Sequence, residues 1–383
     1  MSFSPLVRSH LHSRVPLLHS RYGAYLSRDQ VADLIKPYPE TIELISAWLV
    51  HHGIRPSSIS TTHGGAWLTL TNVLVSQANQ LLGASYQLYR HSNTNETILR
   101  TVSYSLPSVL HRHIQTVAPT TYFAPTRVTQ RTPRRRNSGT APARAASRKV
   151  VKALSSRAQP IVPDILRWLY TTNPFETAAY EPSAADRNRL GIVGFDDDFP
   201  DDADLDQFMT LFSERTEGAT FDVVEVNGGV DHLVDFVDPG DANSNMQYAS
   251  AMAFPTPIVF YSIGGFLVWN PETGREIAGD RYLEWFDYIL EREPNIPQTI
   301  SISYGDIETA LPPQYAGAVC TLFARLGSRG VSVLVSSGNV GVGGEDCEDG
   351  NGNIRFIPEF PSSCKCGVLS PLTHPSRALD KDK

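Results

Sequence analysis

The sequence predicts an α/β body with a largely parallel sheet, preceded by a small α+β domain. Two β-branched runs, residues 298–302 and 331–335, each stop at a glycine-containing turn, as buried strands do. Residues 313–326 between them have the length and the Ala/Leu/Val content of a helix, and Gly327 is a suitable C-terminal stop. This order gives the βαβ unit of a parallel sheet. Ligands bind outside the carboxyl ends of such strands, so we expect the chemistry in the loops that follow them.

The first part of the chain mixes short helices and short strands, which is typical of a small α+β domain. Ser27 and Gln30 have the spacing of a capping box, so we expect a helix that begins there and ends before Pro37. Pro39 then opens a second helix. The apolar face of this second helix is predicted at Ile42, Ile45, Trp48 and Leu49, a third helix at 77–82, and strands at 67–71, 86–89 and 100–104.

The body also alternates strands and helices. Helices are predicted over residues 164–170 and 282–291, and the strands among them over residues 190–195, 223–226 and 258–261. Residues 196–206 contain seven aspartates, but no glycine or glutamate stands at the spacing of a calcium-binding loop. We therefore expect this acidic segment to be a solvated loop.

A basic segment separates the two parts. Residues 124–163 hold ten Arg/Lys and no acidic residue, and few of them are large and apolar, which predicts an exposed, flexible linker. Residues 131–136 offer a site for proteases that cut after basic residues. Nucleic-acid binding is the competing interpretation, and the absence of accompanying aromatic residues disfavours it.

Composition and charge set further bounds. The 383 residues suffice for two domains, and an apolar content of 41% with 19% charged residues excludes wholesale disorder. Residues 1–157 carry a net charge of +14 and the remainder −21, which together give the −7 of the whole chain. We therefore expect the basic leader and the acidic body to attract each other at neutral pH. The alternative is that the uneven charge reflects drift in surface composition and has no function.

Cysteines and apolar runs bear on the cellular compartment. The apolar stretch 251–269 is interrupted by prolines and a glycine pair, so it predicts a buried strand and turn rather than a membrane span. No signal peptide is visible at Met1, because basic residues and histidines interrupt any apolar core. The cysteine spacing does not fit zinc. A disulfide among Cys347, Cys364 and Cys366 and free buried thiols both remain open, and the fourth cysteine is Cys320.

Several motifs in order resemble the sedolisins, or serine-carboxyl peptidases, and more narrowly the fungal tripeptidyl-peptidases. They are Ile302–Asp306, Ser337–Gly341 and Phe360–Cys364, with Arg21–Ser27 resembling the start of the activation prodomain of that family. The resemblance implies a subtilisin-like body, an extracellular location, a peptide or protein substrate, and association of the prodomain with the peptidase body. It divides the chain into a prodomain (1–123), the linker (124–163), a partial peptidase domain (164–366) and a divergent tail (367–383).

The resemblance also implies a mechanism. In the family a serine attacks the peptide bond, a glutamate acts as its base, and an aspartate four residues away on the same helix face orients that base. A carboxylate base works in acid, where a histidine would be protonated. A further aspartate donates a hydrogen bond to the oxyanion. These three positions fall here on Asp241, Asn245 and Asn339, so all three are substituted. A polar helix face without function is the alternative for the first two.

The nucleophile has no counterpart in the sequence. The family's Ser-Gly-Thr segment lies downstream of the motif that ends at Cys364, and no such segment follows here. Ser138–Thr140 has those letters, but it lies in the basic linker, where we interpret it as coincidental. The calcium ligands of the family are absent with that part, so no cofactor is expected. We therefore expect an incomplete sheet and no peptidase activity. The alternatives are a prodomain-like inhibitor or binding protein and a non-functional gene fragment, and neither nucleic acid nor membrane is expected as a partner.

Overall fold

The computed structural model describes residues 23–90, 97–123, 127–128, 161–170, 188–195, 198–213, 218–232, 240–264, 281–338, 356, 358–365 and 368–370. Residues 23–123 are here called the first domain, and residues 161–170 together with those from 188 onward are called the body. Most of the predicted linker and of the predicted tail lies outside the described residues. The predicted domain boundaries therefore stay predictions.

The first domain is built on three helices and two small antiparallel sheets. Its helices are α1 (Arg28–Ile35), α2 (Pro39–His51) and α3 (Val75–Leu82), and its strands are β1 (Ile59–Thr61), β2 (Leu68–Leu70), β3 (Gln87–Arg90) and β4 (Thr97–Arg100). Strand β1 pairs with β2, and β3 pairs with β4. The capping box at the start of α1 is confirmed: the Ser27 side chain accepts from the Gln30 backbone, and the Gln30 side chain accepts from the Ser27 backbone.

Two details of the first domain differ from the prediction. Ile45 and Leu49 of α2 are buried, but Ile42 is 49% exposed, so the apolar face is narrower than expected. Strand β4 ends at Arg100, whereas the predicted strand began at that residue. The buried Arg100 side chain donates through Nε to the carbonyl of Tyr122 at 2.6 Å, and this contact holds the end of the domain against β4. The alternation that predicted a strand over 100–104 therefore lies in an irregular segment.

The body contains a six-stranded parallel sheet, which confirms the predicted fold class. Its strands are β6 (Leu190–Phe195), β7 (Phe221–Val226), β8 (Ile258–Ile263), β9 (Thr299–Ile302), β11 (Ser332–Ser336) and β13 (Val368–Ser370); the helices of the body are α4 (Pro163–Leu169), α5 (Asp202–Phe212), α6 (Gly240–Ala253), α7 (Arg281–Glu291) and α8 (Pro313–Ser328). The strand order in the sheet is β13-β11-β9-β6-β8-β7, and every neighbouring pair is parallel. The predicted βαβ unit is present as β9, α8 and β11.

Both faces of this sheet are covered by side chains. All six residues of β8 are buried, and its five apolar residues alternate between two hydrophobic clusters. Ile258 and Phe260 pack with α5 and α6, whereas Val259, Tyr261 and Ile263 pack with α7 and α8. A strand that is buried on both faces is apolar at nearly every position, because no position of it meets water, and the one polar residue, Ser262, accepts from the backbone N–H of Val230. The order of layers is therefore helix, sheet, helix.

Two predictions about helix ends are wrong. Residues 201–206 are not a solvated loop: Asp201 caps α5 by accepting from the backbone N–H groups of Ala203 and Asp204. Acidic residues favour this place because the first turn of a helix carries unpaired N–H groups and a positive dipole end. Helix α8 runs past Gly327, and the left-handed residue that follows it is Gly330, with φ of 87°.

The disulfide also differs from the expectation. Cys364 pairs with Cys320 of α8, with a Cα–Cα distance of 5.3 Å, and 44 residues separate the two in sequence. Proximity decided this pairing, because the segment after β12 (Glu359–Phe360) packs against α8 in the main core. Cys347 and Cys366 lie outside the described residues.

Tyr122, at the end of the first domain, packs into the core of the body. It is 7% exposed, its ring stacks on that of Tyr315 with centroids 5.0 Å apart, and its hydroxyl donates to Asp306 at 3.2 Å. The two domains therefore share part of one hydrophobic core.

We predict that the Cys320→Ser, Cys364→Ser double variant loses about 2–4 kcal/mol of unfolding free energy, because a cross-link over this separation restricts the unfolded chain. Chemical denaturation of the wild type and the variant measures this loss. As a control, reductant should destabilise the wild type and leave the variant unchanged. Equal stability of the two proteins would contradict the prediction.

Candidate active site

The topology of the sheet opens a crevice between β6 and β9. These strands are neighbours, but the chain leaves β6 towards β7 and β8 on one side and leaves β9 towards β11 and β13 on the other. Loops that diverge from adjacent strands leave a cleft at the carboxyl edge, where open α/β sheets bind ligands. Asp198 follows β6 and Ser303 follows β9, so both lie at this cleft.

Asp241 and Asn245 lie on α6, one turn apart, as the sequence predicts. Asp241 is in the first turn of the helix and 4% exposed. The side-chain oxygen of Asn245 accepts from the hydroxyl of Ser303 at 3.3 Å, so the face of α6 that carries Asn245 meets the end of β9. These two sequence-predicted site residues therefore lie on a helix beside the crevice.

The opposite side of α6 is held by α5. The side chain of Asn243 accepts from the backbone N–H of Asp201 at 2.7 Å and donates to the carboxylate of Asp204 at 2.7 Å. Both contacts use the acidic segment at the start of α5. The acidic segment thus positions the helix that carries Asp241, which gives these aspartates a structural role that the sequence prediction did not include.

A buried tyrosine and a second carboxylate complete the cluster. The hydroxyl of Tyr304 donates to Oδ2 of Asp198 at 2.8 Å, and both residues are buried. Burial raises the pKa of Tyr304 well above its usual value, and the negative charges of Asp198 and, more weakly, Asp241 act in the same direction. Tyr304 is therefore a neutral hydrogen-bond donor at every physiological pH.

Sequence reasoning missed Asp198, Ser303 and Tyr304 as site residues. Ser303 and Tyr304 stand in a motif that carried the resemblance, but they received no role. Asp198 was placed in a solvated loop. The signal that could have found them is position: each follows the carboxyl end of a buried strand, at the edge where ligands bind.

Asn339, the third predicted site residue, lies outside the described residues, and its role stays a prediction. The residue before it is described: Gly338 follows β11 in the left-handed region, with φ of 78°. A side chain at Gly338 would come within 3.1 Å of the Glu359 side chain. Glycine is therefore required where the chain turns at the end of β11.

A short segment of the chain pairs with the backbone at the cleft. Residues 127–128 form strand β5, which is antiparallel to β10 (Tyr304–Ile307), with Val128 opposite Tyr304 and Arg127 opposite Gly305. This strand pairing begins at Tyr304, directly after Ser303, and the hydroxyl of Ser303 donates to Asn245. An extended peptide therefore lies next to the candidate site by adding a strand to an available edge.

The chemistry open to this arrangement follows from its groups. Asp241 can exchange a proton, whereas the amide of Asn245 can orient a neighbour but holds no titratable proton. Within the described residues, no group of three or more His, Cys, Asp or Glu side chains is placed to hold a metal ion. None of the helices in those ranges combines the length and the apolar run that crossing a bilayer requires.

Comparison with known proteins identifies relatives. Residues 9–123 match the family model of the pro-kumamolisin activation domain. The chain is 32% identical to tripeptidyl-peptidase SED2 of Arthroderma otae, over 90% of this chain and 57% of that protein. It is 30% identical to the probable tripeptidyl-peptidase SED4 of Trichophyton verrucosum, over 90% of this chain and 56% of that protein. The chain thus spans little more than half the length of the curated relatives it matches.

Among solved structures, a sedolisin from Pseudomonas, described as a serine-carboxyl proteinase complexed with two molecules of pseudo-iodotyrostatin, is similar at 18% identity. The match covers 50% of each chain with a TM-score of 0.33. The similarity is carried instead by the activation-domain match and by the relatives that align along 90% of the chain. Residues 9–123 belong to the pro-kumamolisin activation-domain family, and the chain is similar to the fungal tripeptidyl-peptidases along most of its own length.

Proposed function

We propose that this chain is a serine-type peptidase precursor of the tripeptidyl-peptidase kind, in which the cleft still binds peptides but proton transfer is strongly weakened. The observation that carries the first half is the pairing of residues 127–128 with Tyr304 and Gly305 beside the candidate site. Backbone pairing recognises any extended peptide without regard to side chains, which suits a peptidase cleft. The relatives' names as tripeptidyl-peptidases support the same substrate class.

The second half of the proposal, weakened proton transfer, rests on the substituted residues Asp241 and Asn245. A carboxylate pair divides the roles because crowding like charges separates the two pKa values, so that one group holds the proton and the other serves as the base. Here only Asp241 can ionise, and it is one methylene shorter than the glutamate of the family. Asn245 accepts from Ser303 and carries no charge, so the pair holds one titratable carboxylate where the family has two. Asn339 takes the oxyanion position, where an amide N–H is a competent donor.

An extracellular location is part of the proposal. The Cys320–Cys364 disulfide supports it, because structural disulfides persist in oxidising compartments and are rare in the cytosol. No cofactor is assigned to the cleft.

We predict that the purified chain hydrolyses a tripeptidyl-peptidase substrate at about pH 4 at least ~10³-fold more slowly than an active relative does. The physical reason is that a base one methylene short and without its orienting carboxylate takes up a proton poorly, and that no residue of this chain is assigned as the nucleophile. Release of tripeptides, followed by chromatography, measures the rate. Turnover near that of the relative, lost on Asp241→Ala, would refute the proposal.

Peptide binding is tested separately with the Arg127→Pro, Val128→Pro double variant. Proline lacks a backbone N–H and does not fit into a paired strand, so residues 127–128 should leave the cleft edge. A labelled peptide with the sequence of residues 124–130 should then bind at least about tenfold more tightly, measured by fluorescence anisotropy.

The matched control for this experiment is Arg127→Ala, Val128→Ala, which keeps both N–H groups and should bind the added peptide as weakly as the wild type does. If the proline and alanine variants bind the peptide equally, backbone pairing at Tyr304 and Gly305 does not define a peptide site.

The alternative function is inhibition of intact relatives by the first domain. The observation that favours it is the insertion of Tyr122 into the body core, since a complete relative presents a body of the same family. Adding the full chain to an active fungal tripeptidyl-peptidase distinguishes the two. Under our proposal the activity of the relative is unchanged, whereas inhibition at stoichiometric amounts would favour the alternative.

A further inference from the structure

The first domain also contacts the body at a second place, the C-terminal ends of α7 and α8. The backbone N–H of Leu26 donates to the carbonyl of Ser328 at 3.0 Å. The ring of Tyr25 lies over Gly330, where a side chain would have no room. The chain just before α1 therefore runs along the end of α8. This contact is separate from the candidate active site and from Tyr122.

One carboxylate, that of Glu291, lies at the centre of this contact. Oε2 accepts from Nη2 of Arg28 at 3.2 Å and from the backbone N–H of His63 at 2.9 Å, both in the first domain. Oε1 accepts from Nη2 of Arg325 in the body at 3.0 Å. Nη2 of Arg28 also donates to the main-chain carbonyl of Glu291 at 2.6 Å. The side chains of Glu291 and Arg325 are only 10% and 7% exposed, so the bond between them is shielded from water, whereas the Arg28 side chain is 45% exposed and reaches the carboxylate from the solvent side.

Three guanidinium groups surround this single carboxylate. Arg325 and Arg329 stand one turn apart at the end of α8, and Arg28 approaches from the first domain. Nε of Arg325 and Nη1 of Arg329 are buried and find no acceptor within the described part of the chain. Burial lowers the pKa of both body arginines, the charge of Arg28 acts in the same direction, and Glu291 opposes the effect.

Two further charged groups of the first domain lie beside this contact. His63 and Asp29 contact each other at 2.8 Å, and both side chains are well exposed. Among the residues that the structure describes, no ion pair joins Asp29 to Arg325 or Arg329. With Glu291 ionised, the cluster of Glu291, Arg28, Arg325 and Arg329 carries one negative and three positive charges.

We propose that Glu291 is an electrostatic latch for the first domain: its charge makes the contact with Arg28 attractive, and loss of that charge makes the same contact repulsive. Without the carboxylate, Arg28 faces Arg325 and Arg329 across a contact that is buried at Arg325 and open to solvent at Arg28, so water screens the repulsion only in part. The partner that this surface of the body recognises is the Tyr25–Arg28 segment with His63. The latch controls docking of the first domain and does not depend on the proposed peptide binding.

The charge count predicts a reversal of sign. In the wild type, Arg28→Gln removes an attraction to Glu291 and should loosen the first domain. In the Glu291→Gln background the same change removes a repulsion and should tighten it. A purely steric role for Arg28 would give the same direction in both backgrounds. The amide of Leu26 reports the opening, because its hydrogen bond crosses the interface.

The experiment is native-state hydrogen exchange on the full chain. Exchange at Leu26 should rise at least about tenfold in Glu291→Gln, rise in Arg28→Gln, and fall when Arg28→Gln is added to Glu291→Gln. Asp287→Asn is the matched control, because it neutralises an acid on the same helix whose ion pair in the described part of the chain is with the exposed Arg292. Unchanged exchange in Glu291→Gln, or a further rise in the double variant, would overturn the latch.

The substitution Glu291→Gln could unfold the body, and faster exchange at the amides of Ser332–Ser336 would show this. A further variant tests the latch in that case. Arg329→Gln removes an uncompensated positive charge while Glu291 stays in place. The latch predicts slower exchange at Leu26 in this variant, because Arg28 is then held with less opposition. Faster exchange in a body whose β11 amides remain protected would refute it.

Discussion

The structure depends on one constraint: the parallel sheet of the body is buried on both faces. Helices must then cover both faces of the sheet. The strands β6 and β9 are neighbours, and the connections that follow them run towards opposite edges of the sheet. The cleft between those connections follows from this geometry and not from any particular catalytic residue. Asp198, Ser303 and the start of α6 are brought together because each is attached to an element that ends at this edge.

The buried polar groups near the cleft and at the domain contact are satisfied in different ways. Tyr304 is neutral and donates to Asp198, so a carboxylate and a hydroxyl complement each other without a formal charge pair. At the domain contact, by contrast, one carboxylate accepts from two guanidinium groups and a backbone N–H, and two guanidinium nitrogens find no acceptor among the described residues. The first arrangement sets one formal charge against a neutral donor, whereas the second sets one negative charge among several positive ones.

Periodicity predicted most of the fold, and the errors have physical causes. The βαβ unit and the capping box at Ser27 follow from local pattern, whereas the helix that carries Asp241 and Asn245 was expected only from the resemblance. Local pattern did not predict that a helix begins within residues 201–206. A run of aspartates predicts a solvated loop unless Asp201 is recognised as the residue that caps the helix. Local pattern also could not pair Cys320 with Cys364, which depends on packing of two distant segments against one core.

The candidate site was predictable only in part. Resemblance gave Asp241 and Asn245, and α6 carries both beside the crevice. Asp198 and Tyr304 needed the strand order, because their contact joins residues 106 apart that meet only when β6 and β9 are neighbours. Asn339 remains a prediction from the resemblance alone.

Tyr122 gives the first domain a hold on the body that a surface contact would not provide. Its ring fills space against Tyr315 and is counted among the side chains of the main core. If the first domain departs, it withdraws an aromatic group from that core, and the vacated volume must collapse, fill with water or accept another group. Separating the two domains would thus require repacking the interior of the body as well as breaking a surface contact.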